Sequence, residues 1–180
     1  MFSWVHTMPP AVAAEILRAL QKKHVEVYVG GGWAVDALLQ RNTREHDDLD
    51  LWLPIGSAEG CFAVMAEIGL DRIFPWPGDR PWNFVLHDGG ARRVDLHFFE
   101  RLSDGRVHYG SVREGEVLPS EAFAGTGSIT DLVVRCESPA WAVKFHEGYP
   151  PRPKDRHDVT LLCELFGIDI PSTLRSESKP

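Results

Sequence analysis

The amino-acid sequence predicts an α+β fold, in which helices flank a small β-sheet and the C-terminal part is mainly helical. Strand and helix patterns alternate through the first hundred residues, and helical patterns dominate the last fifty. The length of 180 residues fits one domain with at most a small appended part. We therefore expect a domain over residues 1–135, a helical part over 136–171 that packs on it, and a flexible tail over 172–180.

Five segments carry helical patterns. They cover residues 13–22, 33–39, 58–68, 138–147 and 155–166. The first follows Pro9-Pro10 and repeats apolar residues at helical spacing, and the second follows a glycine triplet. The third ends at Gly69, and the fourth starts with Ser138-Pro139, a cap followed by proline at the first helical position. Asp155 is the expected cap of the last.

Five segments carry strand patterns. They cover residues 25–29, 49–53, 82–87, 93–99 and 132–135. In the second, leucines alternate with polar or aromatic residues, as in a strand with one buried face. The third and fourth are joined around Asp88-Gly89-Gly90, which predicts a hairpin. Residues 75–81 are predicted to be a loop, and residues 103–128 are glycine-rich and polar with few periodic signals.

The net charge and the cysteine content limit the binding partners and the cellular compartment expected for the protein. The formal net charge of −7 argues against a protein that grips nucleic-acid phosphates. No apolar run approaches the roughly 20 residues that span a bilayer, and the N-terminus has no signal-peptide pattern. Cys61, Cys136 and Cys163 are far apart and are expected to be buried, reduced thiols. We therefore expect a cytoplasmic protein with no nucleic-acid or membrane partner.

Three aspartates are candidate metal ligands. Asp48 and Asp50 lie two residues apart in a strand pattern, so both project from one face while leucines anchor the other. Asp95 occupies a polar position of a second alternating strand and can point to the same side. Such carboxylates repel each other unless a cation lies between them, and Mg²⁺ suits hard oxygen ligands. An isolated pair of aspartates at this spacing, however, more often has a structural role than a metal-binding one.

A glycine triplet strengthens the metal interpretation. Gly30-Gly31-Gly32 follows a strand pattern and opens a helix, where bare backbone lets a phosphate approach the first N–H groups. A tight strand–helix turn also needs glycine, so the triplet alone is weak. A strand, a glycine turn, a helix and a strand with two aspartates form a much more specific combination, which favours a nucleotide site.

These motifs resemble the DNA polymerase β-like nucleotidyltransferase superfamily. Gly31-Gly32, Asp48-x-Asp50 and Asp95 carry the resemblance. Residues 30–51, GGGWAVDALLQRNTREHDDLDL, look most like the antibiotic-modifying branch, namely aminoglycoside 2″-adenylyltransferases and small lincosamide nucleotidyltransferases. Residues 136–160 resemble the C-terminal part of the lincosamide enzymes, whereas residues 100–130 carry no recognised motif.

The resemblance implies a nucleotidyltransferase fold with a mixed sheet. It also implies an adenylyltransferase that uses two Mg²⁺ ions and ATP, or another NTP. Asp48, Asp50 and Asp95 match the catalytic and metal-binding carboxylates, and Gly31 and Gly32 match the phosphate-contacting turn. The implied reaction transfers AMP to a hydroxyl of a small molecule, expected to be an aminoglycoside or lincosamide antibiotic.

Several points stay open at this stage. Asp95 is the best-placed base for the acceptor hydroxyl, and Glu100 is an alternative. The acceptor could instead be another metabolite or a protein side chain, and the chain could be a nucleotide-binding module without catalysis. Either a monomer or a homodimer is compatible with the sequence.

Two cations, Arg44 and Lys144, are predicted to contact the nucleotide. Arg44 precedes the acids and could reach a phosphate or pair with Asp47 or Glu45. Lys144 and Lys154 are candidate phosphate contacts, although surface lysines are seldom specific.

Aromatic residues could line an acceptor pocket, although packing in the core is the commoner role of tryptophan. The candidates are Trp76, Trp82, Trp141 and Tyr149. Asp36 is expected to fix a loop, and His157-Asp158 to cap a helix or form ion pairs.

Overall fold

The computed structural model describes residues 7–74 and 77–175. Its five α-helices are α1 (Pro10–Lys22), α2 (Gly31–Leu39), α3 (Ala58–Glu67), α4 (Pro139–Phe145) and α5 (Pro153–Phe166). Its strands are β1 (Tyr28–Val29), β2 (Leu49–Pro54), β3 (Arg72–Phe74), β4 (Asn83–His87), β5 (Arg93–Arg101), β6 (Val107–Tyr109), β7 (Glu116–Leu118), β8 (Gly125–Ile129) and β9 (Leu132–Cys136). No helix in these ranges is long and apolar enough to cross a membrane.

The strands form one mixed sheet in the order β3-β4-β5-β2-β1-β9-β8, and β6 and β7 extend β5 as a side branch. The β2–β5 and β1–β9 pairs are parallel, whereas the other pairs are antiparallel. The predicted α+β class and the hairpin between β4 and β5 are therefore confirmed. Because β9 pairs with β1, the chain beyond residue 135 continues directly from a strand of the same sheet.

Alternate side chains of β2 point to the two opposite faces of the sheet. Leu49, Leu51 and Leu53 are fully buried in the larger core, together with residues from α1, α2, α3 and α5. Trp52 points to the opposite face and belongs to a second cluster that includes Phe99. Burying each leucine contributes about 2–3 kcal/mol of hydrophobic stabilisation, which fixes the strand and hence its alternate side chains.

The predicted elements differ from the structure in several places. Strand β3 (Arg72–Phe74) was not predicted. The expected strand over residues 25–29 is only Tyr28–Val29, because the chain turns into α2 immediately afterwards. The region 103–128, for which no element was predicted, contains β6, β7 and most of β8. The first two span three residues each, too short for a visible alternation. The third, GTGSI, is rich in glycine and carries little hydrophobic signal.

Helices α4 and α5 pack against α2 and against each other. Helix α5 begins at Pro153, two residues before the expected cap. Asp155 lies in its first turn, where its carboxylate accepts a 2.7 Å hydrogen bond from the Arg152 backbone N–H. In the segment predicted as a flexible tail, Ser172–Leu174 form a 3₁₀ turn that buries Leu174, and residues 176–180 lie outside the described ranges.

Candidate active site

The parallel pairing of β2 and β5 places Asp50 beside Asp95. The two residues are register partners on adjacent strands, so both carboxylates project from the same face at the same level. Asp48, one residue before β2, borders the same cleft. The Trp33 indole N–H fixes the backbone here by donating to the Asp48 carbonyl oxygen at 2.9 Å. The structure thus brings the three predicted aspartates together.

His97 joins this group, although the sequence analysis did not select it. Its Nε2 atom lies 3.5 Å from Asp50 Oδ1 and 3.6 Å from Asp95 Oδ2. Its Nδ1 atom lies 2.9 Å from the hydroxyl oxygen of Tyr109. The alternation that places Asp95 on the polar face of β5 also places His97 there, so the signal was present in the sequence.

The carboxylates of the three aspartates repel one another. Burial raises the pKa of Asp48 to about 7, and the charges of Asp50 and Asp95 add to the shift. The pKa of Asp95 is also raised, mainly by burial and further by Asp50, against the lowering effect of His97. Burial works to lower the pKa of His97, but the two neighbouring carboxylates outweigh it and raise that pKa. The site therefore carries excess negative charge that a cation would relieve.

The donor set fits a divalent metal ion. One ligand atom from each of Asp50, Asp95 and His97 lies within 4.8 Å of the others, a spacing that a single ion can bridge. Carboxylate oxygens are the ligands that Mg²⁺ and Mn²⁺ prefer. Burial is the main cause of the raised pKa of nearby Asp48, and a bound cation would offset the further contribution from the charges of Asp50 and Asp95.

The glycine turn lets the helix start approach these side chains. Gly31 has a φ of +55°, and a Cβ atom on it would collide with Asp50 Oδ2. A Cβ atom on Gly32 would collide with the Arg44 guanidinium. Both glycines lie in the first turn of α2 rather than before it, so the helix begins two residues earlier than predicted. The first N–H groups of α2 thereby border the acidic group.

Arg44 lies at the cleft but is held by a partner that was not predicted. Its Nε and Nη2 atoms donate to the Asp158 carboxylate at 2.9 and 2.6 Å. Asp47 and Glu45 are therefore not its ion-pair partners; Glu45 contributes only a backbone oxygen, at 2.9 Å. The prediction that Asp158 forms an ion pair is confirmed, and the pair ties α5 to the loop before β2.

The two predicted lysines lie in different places. Lys144 does not line the acidic cleft: its Nζ atom sits 4.2 Å from the centre of the Trp141 ring, in a neighbouring depression. Lys154 does line the cleft, with its Nζ atom 3.7 Å from Asp47 Oδ2. The start of α5 at Pro153 puts Lys154 in the first turn of that helix, which faces the aspartates.

Asp36 fixes the loop before β2, as predicted. Its carboxylate accepts hydrogen bonds from Thr43 Oγ1 and Asn42 Nδ2 and contacts His46 Nε2, all at 2.6–2.8 Å. The His46 ring also stacks on Trp33 at a centroid distance of 4.1 Å. These contacts position the loop that carries Arg44 and Asp48.

Glu137 is a second buried site residue that the sequence analysis did not select. It follows β9 and is 2% exposed, and its Oε1 atom accepts a 2.7 Å hydrogen bond from Trp52 Nε1. Its Oε2 atom is buried without a hydrogen-bond partner in the described part of the chain. Burial raises the pKa of Glu137 to about 8, and the charge of Asp50 contributes. Only the long-range pairing of β9 with β1 brings it beside Gly31.

The remaining predicted residues lie around or outside the cleft. Glu100 is exposed near the end of β5 and does not border the cleft. Tyr149 borders it, whereas Trp141 and Trp82 line two neighbouring depressions. Trp76 lies outside the described residues. The cleft itself has a volume of about 320 Å³.

Comparison with known protein families gives a match over most of the chain. A model of a family described as aminoglycoside-2″-adenylyltransferase matches residues 12–162. A 2″-aminoglycoside nucleotidyltransferase of Klebsiella pneumoniae is 44% identical over 59 residues, and the match covers 33% of each chain. The chain therefore aligns with only about a third of the length of that relative. A lincosamide resistance protein of Staphylococcus haemolyticus is 23% identical over 150 residues, covering 83% of this chain and 91% of that protein.

Solved structures show the same fold. The lincosamide antibiotic adenylyltransferase LnuA with lincomycin bound superposes with a TM-score of 0.75 and 22% identity, covering 91% of this chain and 99% of that one. ANT(2″)-Ia in complex with adenylyl-2″-tobramycin gives a TM-score of 0.69 and 24% identity, covering 88% and 89%. At these identities the likeness establishes the nucleotidyltransferase fold.

Proposed function

The chain belongs to the aminoglycoside-2″-adenylyltransferase family, and we propose that it transfers AMP from ATP to a hydroxyl group of a small antibiotic, an aminoglycoside or a lincosamide. The single observation that carries the proposal is the register pairing of Asp50 with Asp95 in a cleft that Asp48 also borders. A module that only binds nucleotide has no need of all three carboxylates. The family match also confirms the resemblance stated from the sequence.

The triphosphate would lie between the start of α2 and the aspartates. Gly31 and Gly32 border this space, where the Gly31 N–H lies 3.4 Å from Glu137 Oε1, and the partial positive charge of a helix N-terminus favours phosphate oxygens. Lys154 adds a positive charge to the lining of the same cleft. Arg44 adds positive charge beside Gly32, while its guanidinium stays bound to Asp158.

Asp48, Asp50 and Asp95 would hold two Mg²⁺ ions. When bound, these ions would offset the charge of the triphosphate and make the acceptor hydroxyl more acidic. The protein's own contribution is to hold the carboxylates at fixed positions. Leucines on the opposite face anchor β2, and Asn83 Nδ2 donates a 2.6 Å hydrogen bond to Asp95 Oδ1.

The transfer itself is an in-line displacement at phosphorus. The acceptor oxygen forms a bond to the α-phosphorus, and the bond from that phosphorus to the oxygen that bridges to the β-phosphate breaks. Pyrophosphate leaves with the electron pair, and the hydroxyl proton passes to Asp95. Burial raises the pKa of Asp95 and makes it a stronger base. Glu100 is disfavoured as the base because it lies away from the cleft.

The surroundings of the cleft support a cationic, ring-containing acceptor. Glu114 and Glu116 line a neighbouring depression together with Trp82 and Tyr109, and their two charges outnumber that of Arg80, which also lines it. Acidic groups attract the ammonium groups of an aminoglycoside, and aromatic faces pack against its rings. Tyr109 touches His97 as well, so this depression opens close to Asp95.

Incubation with ATP, Mg²⁺ and a panel of aminoglycosides and lincosamides tests the proposal. Mass spectrometry should find one acceptor that gains a single adenylyl group. A gain only on another metabolite or a protein would favour the alternative acceptors, and ATP binding without any transfer would favour a non-catalytic module. Light scattering in the same buffer would distinguish a monomer from a homodimer.

A further inference from the structure

We propose that His97 is a direct nitrogen ligand of the divalent ion held by Asp50 and Asp95, so that the site has mixed oxygen and nitrogen donors. The inference deepens the proposed function and rests on it, since it concerns the metal of the same cleft. It adds a ligand of a different chemical type to the three carboxylates.

The distances favour shared coordination over a hydrogen bond. His97 Nε2 lies 3.5 Å from Asp50 Oδ1 and 3.6 Å from Asp95 Oδ2, beyond the usual hydrogen-bond range of about 2.7–3.2 Å. An ion about 2.0–2.2 Å from each ligand keeps neighbouring ligand atoms roughly 3–3.5 Å apart. A nearly symmetric gap of that size therefore fits an ion between the three atoms.

The orientation of the ring supports the same conclusion. Tyr109 Oη lies 2.9 Å from His97 Nδ1, and the ring stacks on Trp52 at a centroid distance of 4.6 Å. If Nδ1–H donates to the Tyr109 oxygen, the lone pair of Nε2 is directed at the two carboxylates. Metal-binding histidines usually have their second nitrogen fixed by a hydrogen bond in this way. Tyr109 is then a positioning residue for His97.

A nitrogen ligand changes which ion the site prefers. Mg²⁺ favours oxygen donors only, whereas Mn²⁺ and Co²⁺ accept imidazole together with carboxylate. The site should therefore bind Mn²⁺ more tightly than Mg²⁺, and His97 should supply much of that preference.

Pulsed electron paramagnetic resonance of bound Mn²⁺ tests the assignment directly. The wild-type chain should show a hyperfine coupling between Mn²⁺ and a ligand nitrogen, and His97→Asn should abolish it. The variant should also lose at least about tenfold in Mn²⁺ affinity, while its Mg²⁺ affinity changes much less. His146→Asn is the matched control, because His146 borders the same cleft but its Nδ1 lies 2.6 Å from the Ala142 carbonyl oxygen. It should keep the coupling.

Absence of nitrogen coupling in the wild-type Mn²⁺ complex would overturn the proposal, as would unchanged coupling in His97→Asn. The wild-type spectrum decides the question even if the variant fails to fold. Nitrogen coupling without adenylyl transfer to any acceptor would leave this inference standing and overturn the proposed function. Failure of the wild type to bind Mn²⁺ at all would overturn both.

Discussion

Arg44, in the loop before β2, and Asp158, in α5, form a bidentate ion pair whose carboxylate is almost fully enclosed. The side chain of Asp158 is 1% exposed and that of Arg44 is 18% exposed. The pair links the loop that carries Asp48 to the C-terminal helices. Integrity of the cleft therefore depends on residues more than a hundred positions apart in the chain.

Breaking this pair should destabilise the protein strongly. Arg44→Gln leaves the Asp158 carboxylate buried without its cation, so we expect the free energy of unfolding to fall by about 3 kcal/mol. Urea denaturation measures the change. Lys23→Gln removes one partner of an exposed pair with Glu67 and is the control, with almost no expected effect. A loss in Arg44→Gln as small as in the control would show that the pair contributes little.

Binding of a divalent ion should depend on pH through Asp48. Its pKa of about 7, raised by burial and by the neighbouring aspartates, means that the metal-free carboxyl is largely protonated below that pH. Since ions bind the charged form, Mg²⁺ affinity should rise as the pH increases through about 7, with proton release at lower pH. Calorimetry in buffers of different ionisation enthalpy counts these protons. Asp48→Asn should remove only the share of the release that comes from Asp48, because the raised pKa of His97 makes that residue release a proton on metal binding as well. An affinity that is independent of pH near 7 would argue against this account.

Glu137 should make the metal-free protein less stable as the pH rises. Its pKa is raised from 4.5 to about 8, chiefly by burial, so the folded state retains a proton that the unfolded chain has released between those values. Stability therefore falls as the pH rises through this window and does not recover above it.

The variant Glu137→Gln tests this relation. Between about pH 5 and about pH 8, the free energy of unfolding should fall less in this variant than in the wild type. The difference between the two decreases should be at least about 1.4 kcal/mol, which corresponds to a tenfold difference in proton affinity. Glutamine keeps an oxygen for the Trp52 indole N–H, so packing should be preserved. Parallel pH profiles for the two proteins would contradict the assignment.

Substitution of Lys154 and of Lys144 should have different effects on KM for ATP. Lys154 borders the cleft and Lys144 lies over Trp141 in a separate depression. Lys154→Ala should raise KM for ATP about tenfold through the loss of a charged phosphate contact, while Lys144→Ala should leave it nearly unchanged. Steady-state kinetics at saturating acceptor measure both. The reverse order would place the triphosphate on the other side of α4.

The sequence allowed the local part of the site to be predicted. Alternation in two strands selected Asp48, Asp50 and Asp95, and the glycine triplet located the start of α2 to within two residues. What it left open depends on contacts between distant segments. The pairing of β2 with β5 sets Asp50 beside Asp95, and no local pattern encodes that register.

The site residues that were not predicted show the same difference between local patterns and long-range contacts. His97 was within reach of the alternation argument, because it lies two positions after Asp95 on β5. Glu137 was not, because only the parallel pairing of β1 with β9 brings it to the cleft. The sequence could not show which of Lys144 and Lys154 is the better candidate for a phosphate contact, because the loop between α4 and α5 determines which of them faces the aspartates.

Product analysis of the wild type and of Asp50→Asn, with ATP, Mg²⁺ and a responsive antibiotic, tests the central claim most directly. We expect the wild type to release one pyrophosphate for each adenylylated antibiotic. Asp50→Asn should fold normally and lose at least about a hundredfold in rate, as expected when one preorganised charge is removed. Turnover by Asp50→Asn at the wild-type rate, or release of inorganic phosphate in place of pyrophosphate, would contradict the assignment of this cleft as an adenylyl-transfer site.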